Sequence, residues 1–225
     1  MKINNAKLLF PTIIITLLGI GAQAQTAENV TGYPVLTKSY IDVEGSPYLA
    51  KDYNKGTVKV ANGNTYKDVL IKYNQVDDVL YFPGKDDEVL SFADPVTEFT
   101  INYLKGGNSI AGHYRNGYPA IDKNTVKSYY EVLTDGTAQL LKRTSKYIVK
   151  NKLYNSATET QTVNEENGFY IFAGGKMTLI KKDKKFVLPA LGNKQNELEG
   201  YLKAEGLNLK NDKDLVKLVV YYNSL

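Results

Sequence analysis

From residue 57 to residue 188, apolar side chains recur at every second position in short runs, and turn-forming Gly, Asn, Asp or Pro pairs separate several of those runs. Side chains on a strand point alternately to opposite faces, so this period of two describes half-buried β-strands. Val58 and Val60 alternate with Thr57 and Lys59, and Val69, Ile71 and Tyr73 share one face of the next run. Asn62-Gly63 lies between them and signals a type I′ turn. Val79 to Phe82, a Pro83-Gly84 turn, Val89 to Phe92, and the alternating Phe99, Ile101 and Tyr103 continue the series. Short strands joined by tight turns pair most economically with their sequence neighbours, which predicts an antiparallel meander.

The pattern resumes after residue 127. Tyr129 to Leu133 and Ala138 to Leu141 flank an Asp135-Gly136 turn, and Tyr147 to Val149 is expected to add a strand. Phe169 to Phe172, Gly174-Gly175, Met177 to Ile180 and Phe186 to Leu188 read as a further meander. Three strands open on similar words, at Gly56-Thr57-Val58, Gly136-Thr137-Ala138 and Gly175-Lys176-Met177. Hairpin chemistry accounts for that similarity without a duplicated unit. The 18 tyrosines fit the same reading, because Tyr favours a pleated, half-buried surface.

The last 32 residues change period. Leu198, Tyr201 and Leu202 stand at helical spacing, and Gly206 occupies the place of a C′ glycine. Asn211 is an N-cap residue, Asp212 and Asp214 suit a first turn, and Leu215, Leu218, Val219 and Tyr222 form an apolar stripe. Helices are therefore expected at about 194–205 and 212–223, packed on the sheet. The fold class that follows is mainly β (α+β): an antiparallel meander sheet, curved or half-barrel, with a C-terminal helical hairpin.

Two segments carry no period. Residues 104–127 are rich in Gly and Asn, and residues 155–168 are polar. Both read as long loops, either functional or disordered.

The N-terminus reads as a cleavable secretory leader, residues 1–24. Lys2 and Lys7 precede the apolar run Leu8 to Gly21, and Ala22-Gln23-Ala24 places small residues at the −3 and −1 positions. The run is shorter than the roughly 20 residues that span a bilayer. One exported domain, residues 25–225, is expected, β-rich over 40–190 and helical over 194–225, in the periplasm, at the cell surface or secreted. Cleavage removes two lysines and no acid, so 28 basic residues become 26 against 24 acidic ones. The exported chain is nearly neutral, and Lys and Asp are interleaved, as in Lys181-Lys182-Asp183-Lys184-Lys185. No concentrated basic face for nucleic acid is expected. The chain holds no cysteine, so stability rests on a hydrophobic core, without disulfides.

Few residues offer chemistry. His113 is the single histidine, which with the missing cysteine excludes thiol nucleophiles and multi-histidine metal sites. Its surroundings carry no nucleophile elbow, and it is expected as an exposed loop residue. Acidic groups occur at Asp77-Asp78, Asp86-Asp87-Glu88 and Glu165-Glu166. The second is expected as a solvated turn, and none matches a calcium loop. Tyrosines could build a stacking platform, but Trp is absent and strand tyrosines usually cover a core. No catalytic, cofactor-binding or metal residue is assigned.

Gly45-Ser46-Pro47-Tyr48-Leu49, then Gly56 to Gly63 and Tyr66 to Asn74, resembles the opening of a group of small exported proteins from Bacteroidetes. The ending, Leu215 to Asn223, is similar to their C-terminus. The resemblance spans about residues 40–100 and 185–225. It implies export and an intact domain, and it supplies neither an activity nor site residues. The function expected is a non-enzymatic exported binding or structural module, with a protein partner or a small apolar ligand. The alternatives are a carrier that holds an apolar molecule between sheet and helices, or a carboxylate-dependent hydrolase.

Overall fold

A computed structural model of the chain describes residues 25–26, 30–38, 40–86, 88–152 and 159–225. The expected leader, residues 1–24, lies outside the described residues. The strands are β1 (Gln25–Thr26), β2 (Gly32–Pro34), β3 (Val43–Glu44), β4 (Asn54–Val60), β5 (Thr65–Asn74), β6 (Val79–Pro83) and β7 (Val89–Phe92). Then follow β8 (Val96–Lys105), β9 (Asn108–Arg115), β10 (Tyr130–Thr134), β11 (Ala138–Lys152), β12 (Glu159–Ala173) and β13 (Lys176–Ile180). Three helices close the chain: α1 (Lys184–Leu191), α2 (Gln195–Ala204) and α3 (Asp212–Ser224). No helix among the described residues is long and apolar enough to cross a membrane.

The strands form one sheet in the order β13-β12-β11-β10-β9-β8-β4-β5-β6-β7-β2. Neighbours along this path pair antiparallel, while β1 pairs parallel with β5 and β3 parallel with β12. The fold is thus mainly β with helices packed on it, as the periodicity predicts.

The sheet curls strongly. Tyr73 on β5 and Tyr114 on β9 lie three strand positions apart, about 14 Å on a flat sheet. Their ring centroids are 5.5 Å apart. At one end the curl almost closes. The Lys146 N–H of β11 donates to the Gln75 carbonyl just past β5 (3.0 Å), although four strands separate β5 from β11 along the sheet. The concave side holds an aromatic core in which Tyr73, Phe99, Tyr114 and Tyr129 touch. Tyr118, Tyr130, Leu141, Tyr170 and Met177 extend it. On the outer face of β11–β13 the core is aliphatic: Leu140, Ile171 and Ile180 meet Leu188, Leu191, Leu198, Leu215, Leu218 and Val219.

Several expectations are corrected. Phe186 to Leu188 is not a strand but the middle of α1. The Asp183 carboxylate caps it by accepting from the Lys185 N–H (2.9 Å), and Val187, Leu188 and Leu191 share its buried face. A three-residue apolar word fits either period, so the cap decides. The helical end consequently has three helices, with α2 and α3 close to their expected bounds. α2 ends in a Schellman cap: Gly206 has φ +60° and the Leu207 N–H donates to the Leu202 carbonyl.

Much of the expected loop 104–127 is a hairpin. Gly106 and Gly107 both have positive φ and form the two-residue turn between β8 and β9, leaving 116–129 as the true connection. Residues 159–168 of the other polar segment belong to β12, and 155–158 lie outside the described residues. Tyr147 to Val149 is not a separate strand but part of the 15-residue β11, paired with β12 along its whole length. The Asn62-Gly63 turn exists, but among its residues only Gly63 takes positive φ (+92°), so it is not type I′.

Candidate functional site

Three groups of polar or aromatic residues stand apart from the packing described above. The first is an aromatic cleft on the outer face of the β5–β6 hairpin. Alternation on β5 sends Val69, Ile71 and Tyr73 into the core, which leaves Leu70 and Lys72 on the outer face. Tyr81 of β6 pairs with Lys72 across the strands and stands on that face too. The segment before β4 crosses over these residues and brings Tyr48 and Tyr53. Its path is fixed by backbone bonds from the Leu49 N–H to the Tyr73 carbonyl (2.9 Å) and from the Gln75 N–H to the Pro47 carbonyl (2.8 Å). Lys146 adds a clamp, its Nζ donating to the carbonyls of Ser46 (3.0 Å) and Tyr48 (2.6 Å).

The resulting cleft has a volume of about 370 Å³ and is lined by Tyr48, Tyr53, Leu70, Lys72, Tyr81, Pro83, Glu88 and Val89. The Lys72 ammonium stands over the Tyr48 ring, 4.3 Å from its centroid, and 5.4 Å from that of Tyr53. Burial raises the phenol pKa of Tyr48 and Tyr53 and pushes Tyr81 up to about 12, with the Asp77 carboxylate adding to the effect on Tyr48 and Tyr81. All three therefore stay neutral at physiological pH, each a hydroxyl donor and acceptor on an aromatic face.

The second group lies at the mouth of the curled sheet. Asp78, at positive φ (58°), accepts from Tyr73 Oη (2.5 Å) and pairs with Arg143 (3.0 Å). Arg143 Nη1 also donates to the Tyr129 carbonyl (2.8 Å). Arg143 Nε and the Tyr130 hydroxyl are buried without a protein partner. Beside them a polar cleft of about 430 Å³ is lined by Asn124, Arg143, Ser145, Glu166, Asn167 and Tyr170, among others. Asn124 donates to the Tyr170 hydroxyl (2.9 Å), and Lys123 pairs with Glu166.

The third group corrects the reading of His113, which is on β9 and not in a loop. Its Nε2 lies 2.5 Å from Glu98 Oε1 on β8, and Arg115 bridges Glu98 (3.1 Å) and Asp135 (3.0 Å). Burial raises the Glu98 pKa, but hydrogen bonds from His113 and Arg115 outweigh it and hold the carboxyl below its usual range. This ion cluster ties β8 and β9 to the turn between β10 and β11.

The acidic pairs do not converge. Asp77 faces Lys38, Tyr40 and Asn74, whereas Asp78 faces Tyr73 and Arg143. Asp86 sits at positive φ in the tight turn closed by the Gly84 N–H and the Glu88 carbonyl (2.9 Å), and Asp87 lies outside the described residues. Glu165 accepts from Asn167, and Glu166 from Lys123. Among the described residues no three His, Asp or Glu side chains group as metal ligands.

The tyrosines divide. Tyr66, Tyr73, Tyr103, Tyr114, Tyr118, Tyr129, Tyr130 and Tyr170 are core residues, as strand tyrosines are expected to be. Half-buried Tyr48 and Tyr53 instead build a cleft, together with Tyr81, which is itself buried. No local signal in the sequence marks these three, because the segment that unites them is placed by long-range bonds to β5 and β11. Comparison with protein-family models, with curated proteins and with solved structures finds no match to this chain.

Proposed function

We propose that the chain is an exported, non-enzymatic binding module whose ligand-binding surface is the cleft of Tyr48, Tyr53, Tyr81 and Lys72. Export rests on the leader-like residues 1–24 and their Ala22-Gln23-Ala24 ending. Binding rests on one observation: aromatic faces, neutral hydroxyls and one cation line a concave surface outside the core. Sites for small ligands combine a mostly apolar wall with a few placed polar groups. A carrier reading has less support, since Leu188, Leu191, Leu198, Leu215 and Leu218 fill the space between helices and sheet. A hydrolase reading has less still, because the paired carboxylates face apart.

Native mass spectrometry of the protein purified from its producing cell tests the proposal. A small-molecule adduct is expected on the wild type and not on the Tyr48→Ala/Tyr53→Ala variant, whose melting temperature certifies its fold. An adduct kept by that variant, or none on either protein, would overturn the reading.

A further inference from the structure

Lysine ammonium groups are strongly hydrated and normally reach into water or toward a carboxylate. Lys72 does neither. It pairs with no carboxylate among the described residues, and its Nζ rests over two tyrosine rings, with Tyr81 beside it across the strand pair. Ring faces carry the negative part of the aromatic quadrupole, and two of them turned on one ammonium form a partial cage. The Glu88 side chain lines the same cleft.

We infer, resting on the binding reading above, that this cleft is an aromatic cage for an alkylated ammonium group, and that Lys72 is its internal stand-in, displaced when ligand binds. The chemistry favours that exchange. A quaternary ammonium cannot donate hydrogen bonds and is weakly hydrated, so it loses less on leaving water than the lysine it replaces. Lys72 is tethered to β5 and free to turn outward, because neither a hydrogen bond nor an ion pair among the described residues holds it. The cleft, about 370 Å³, is within the range of small-ligand sites. A sugar would use the same tyrosines differently: it would accept a hydrogen bond from Lys72, which would then aid binding and not compete with it.

The sign of the Lys72 effect therefore separates the two. The experiment is an NMR titration of the tyrosine rings with choline, and with its neutral isostere 3,3-dimethyl-1-butanol, at constant ionic strength. Choline is expected to shift the Tyr48 and Tyr53 rings and to bind about tenfold more tightly than the isostere. Lys72→Ala and Lys72→Gln should each tighten choline binding about threefold or more, and Tyr53→Ala should weaken it about tenfold. Thermal melts certify that each variant is folded. Equal binding of choline and isostere, weaker choline binding after removal of Lys72, or rings unmoved by choline would overturn the inference. Maltose supplies the separating arm. If it shifts these rings where choline does not, the cleft remains a binding surface and only the ammonium assignment falls. If neither probe shifts them, and native mass spectrometry finds an adduct that the tyrosine variant keeps, both fall.

Discussion

The concave side of the sheet and the outer face of its C-terminal strands are equally buried but built from different side chains. The concave core is aromatic, with Tyr73, Phe99, Tyr114 and Tyr129 in mutual contact and hydroxyls reaching polar atoms, such as Tyr129 Oη to the Val96 carbonyl (2.8 Å). The outer core is aliphatic, with leucines from three helices against Leu140 and Ile171. Curvature explains the difference. A curled sheet encloses a wide interior with few strands, and long rings with a polar tip cross it and satisfy its polar groups. A helix laid on a sheet needs short branched side chains that interdigitate at close range.

The largest expected effects lie in the aliphatic layer. Leu218 has no exposed surface, and Leu218→Ala should cost about 2–5 kcal/mol, because the rigid helix–sheet contact cannot collapse into the void. Deleting residues 194–225 should leave a protein that unfolds or aggregates. Phe99→Leu in the aromatic core should cost less, about 1–3 kcal/mol, since it keeps an apolar side chain and loses mainly ring contacts. Urea unfolding midpoints of the two point variants measure the contrast. A larger loss at Phe99 would place the weight of stability in the concave core.

A glycine pair probes the concave core at two points. Tyr114 folds back over Gly112, and Tyr170 over Gly168, each ring occupying the space a Cβ would take. An added methyl would lie 2.7 Å from the Tyr114 ring and 2.9 Å from the Tyr170 ring. Tyr114 is stacked on Phe99 with centroids 4.8 Å apart and cannot yield, whereas Tyr170 borders the polar cleft. Gly112→Ala should therefore cost about 2–3 kcal/mol and Gly168→Ala about 1–2. Equal losses in thermal melts would mean that the two rings are equally confined.

The same residues show where sequence reading succeeds. Phe99, Ile101 and Tyr103 alternate along a strand with one buried face, so period alone places them in the core. Asn211, Gly206 and the leucine stripe mark α2 and α3 because capping chemistry is local. Local pattern fails where burial is two-sided or contacts are distant. Residues 159–168 are polar because both faces of that part of the β11–β12 ribbon are largely exposed or half-buried, so no alternation survives. Gly112 is legible as a loop residue only until Tyr114 is seen to cover it. The cleft was hidden for the same reason: Tyr48 and Tyr53 reach Lys72 only after Lys146, about 100 positions away in the chain, anchors their segment.

The smallest expected effect concerns the seam between the two regions. Glu98, His113 and Arg115 lie on β8 and β9, and Arg115 reaches Asp135, in the turn that Asn223 of α3 also grips through the Ala138 N–H and carbonyl (both 2.8 Å). Hydrogen bonds from His113 and Arg115 hold the Glu98 carboxyl below its ordinary value of 4.5, so its ionised form is favoured by folding. Its contribution is fully present above about pH 4.5 and is lost as pH falls through the lower folded value. Glu98→Gln should thus destabilise at pH 7 by on the order of 1 kcal/mol, since the cluster is only partly buried. The difference from wild type should shrink steadily below pH 4.5, and 1 M salt should reduce it at pH 7. His113→Ala removes a neighbour of that carboxylate and should show a smaller loss with the same acid-side trend, in place of the neutral outcome expected of a loop histidine. A Glu98→Gln penalty that persists unchanged at pH 3 would show that the side chain acts by packing, and that the two regions are not joined by charge.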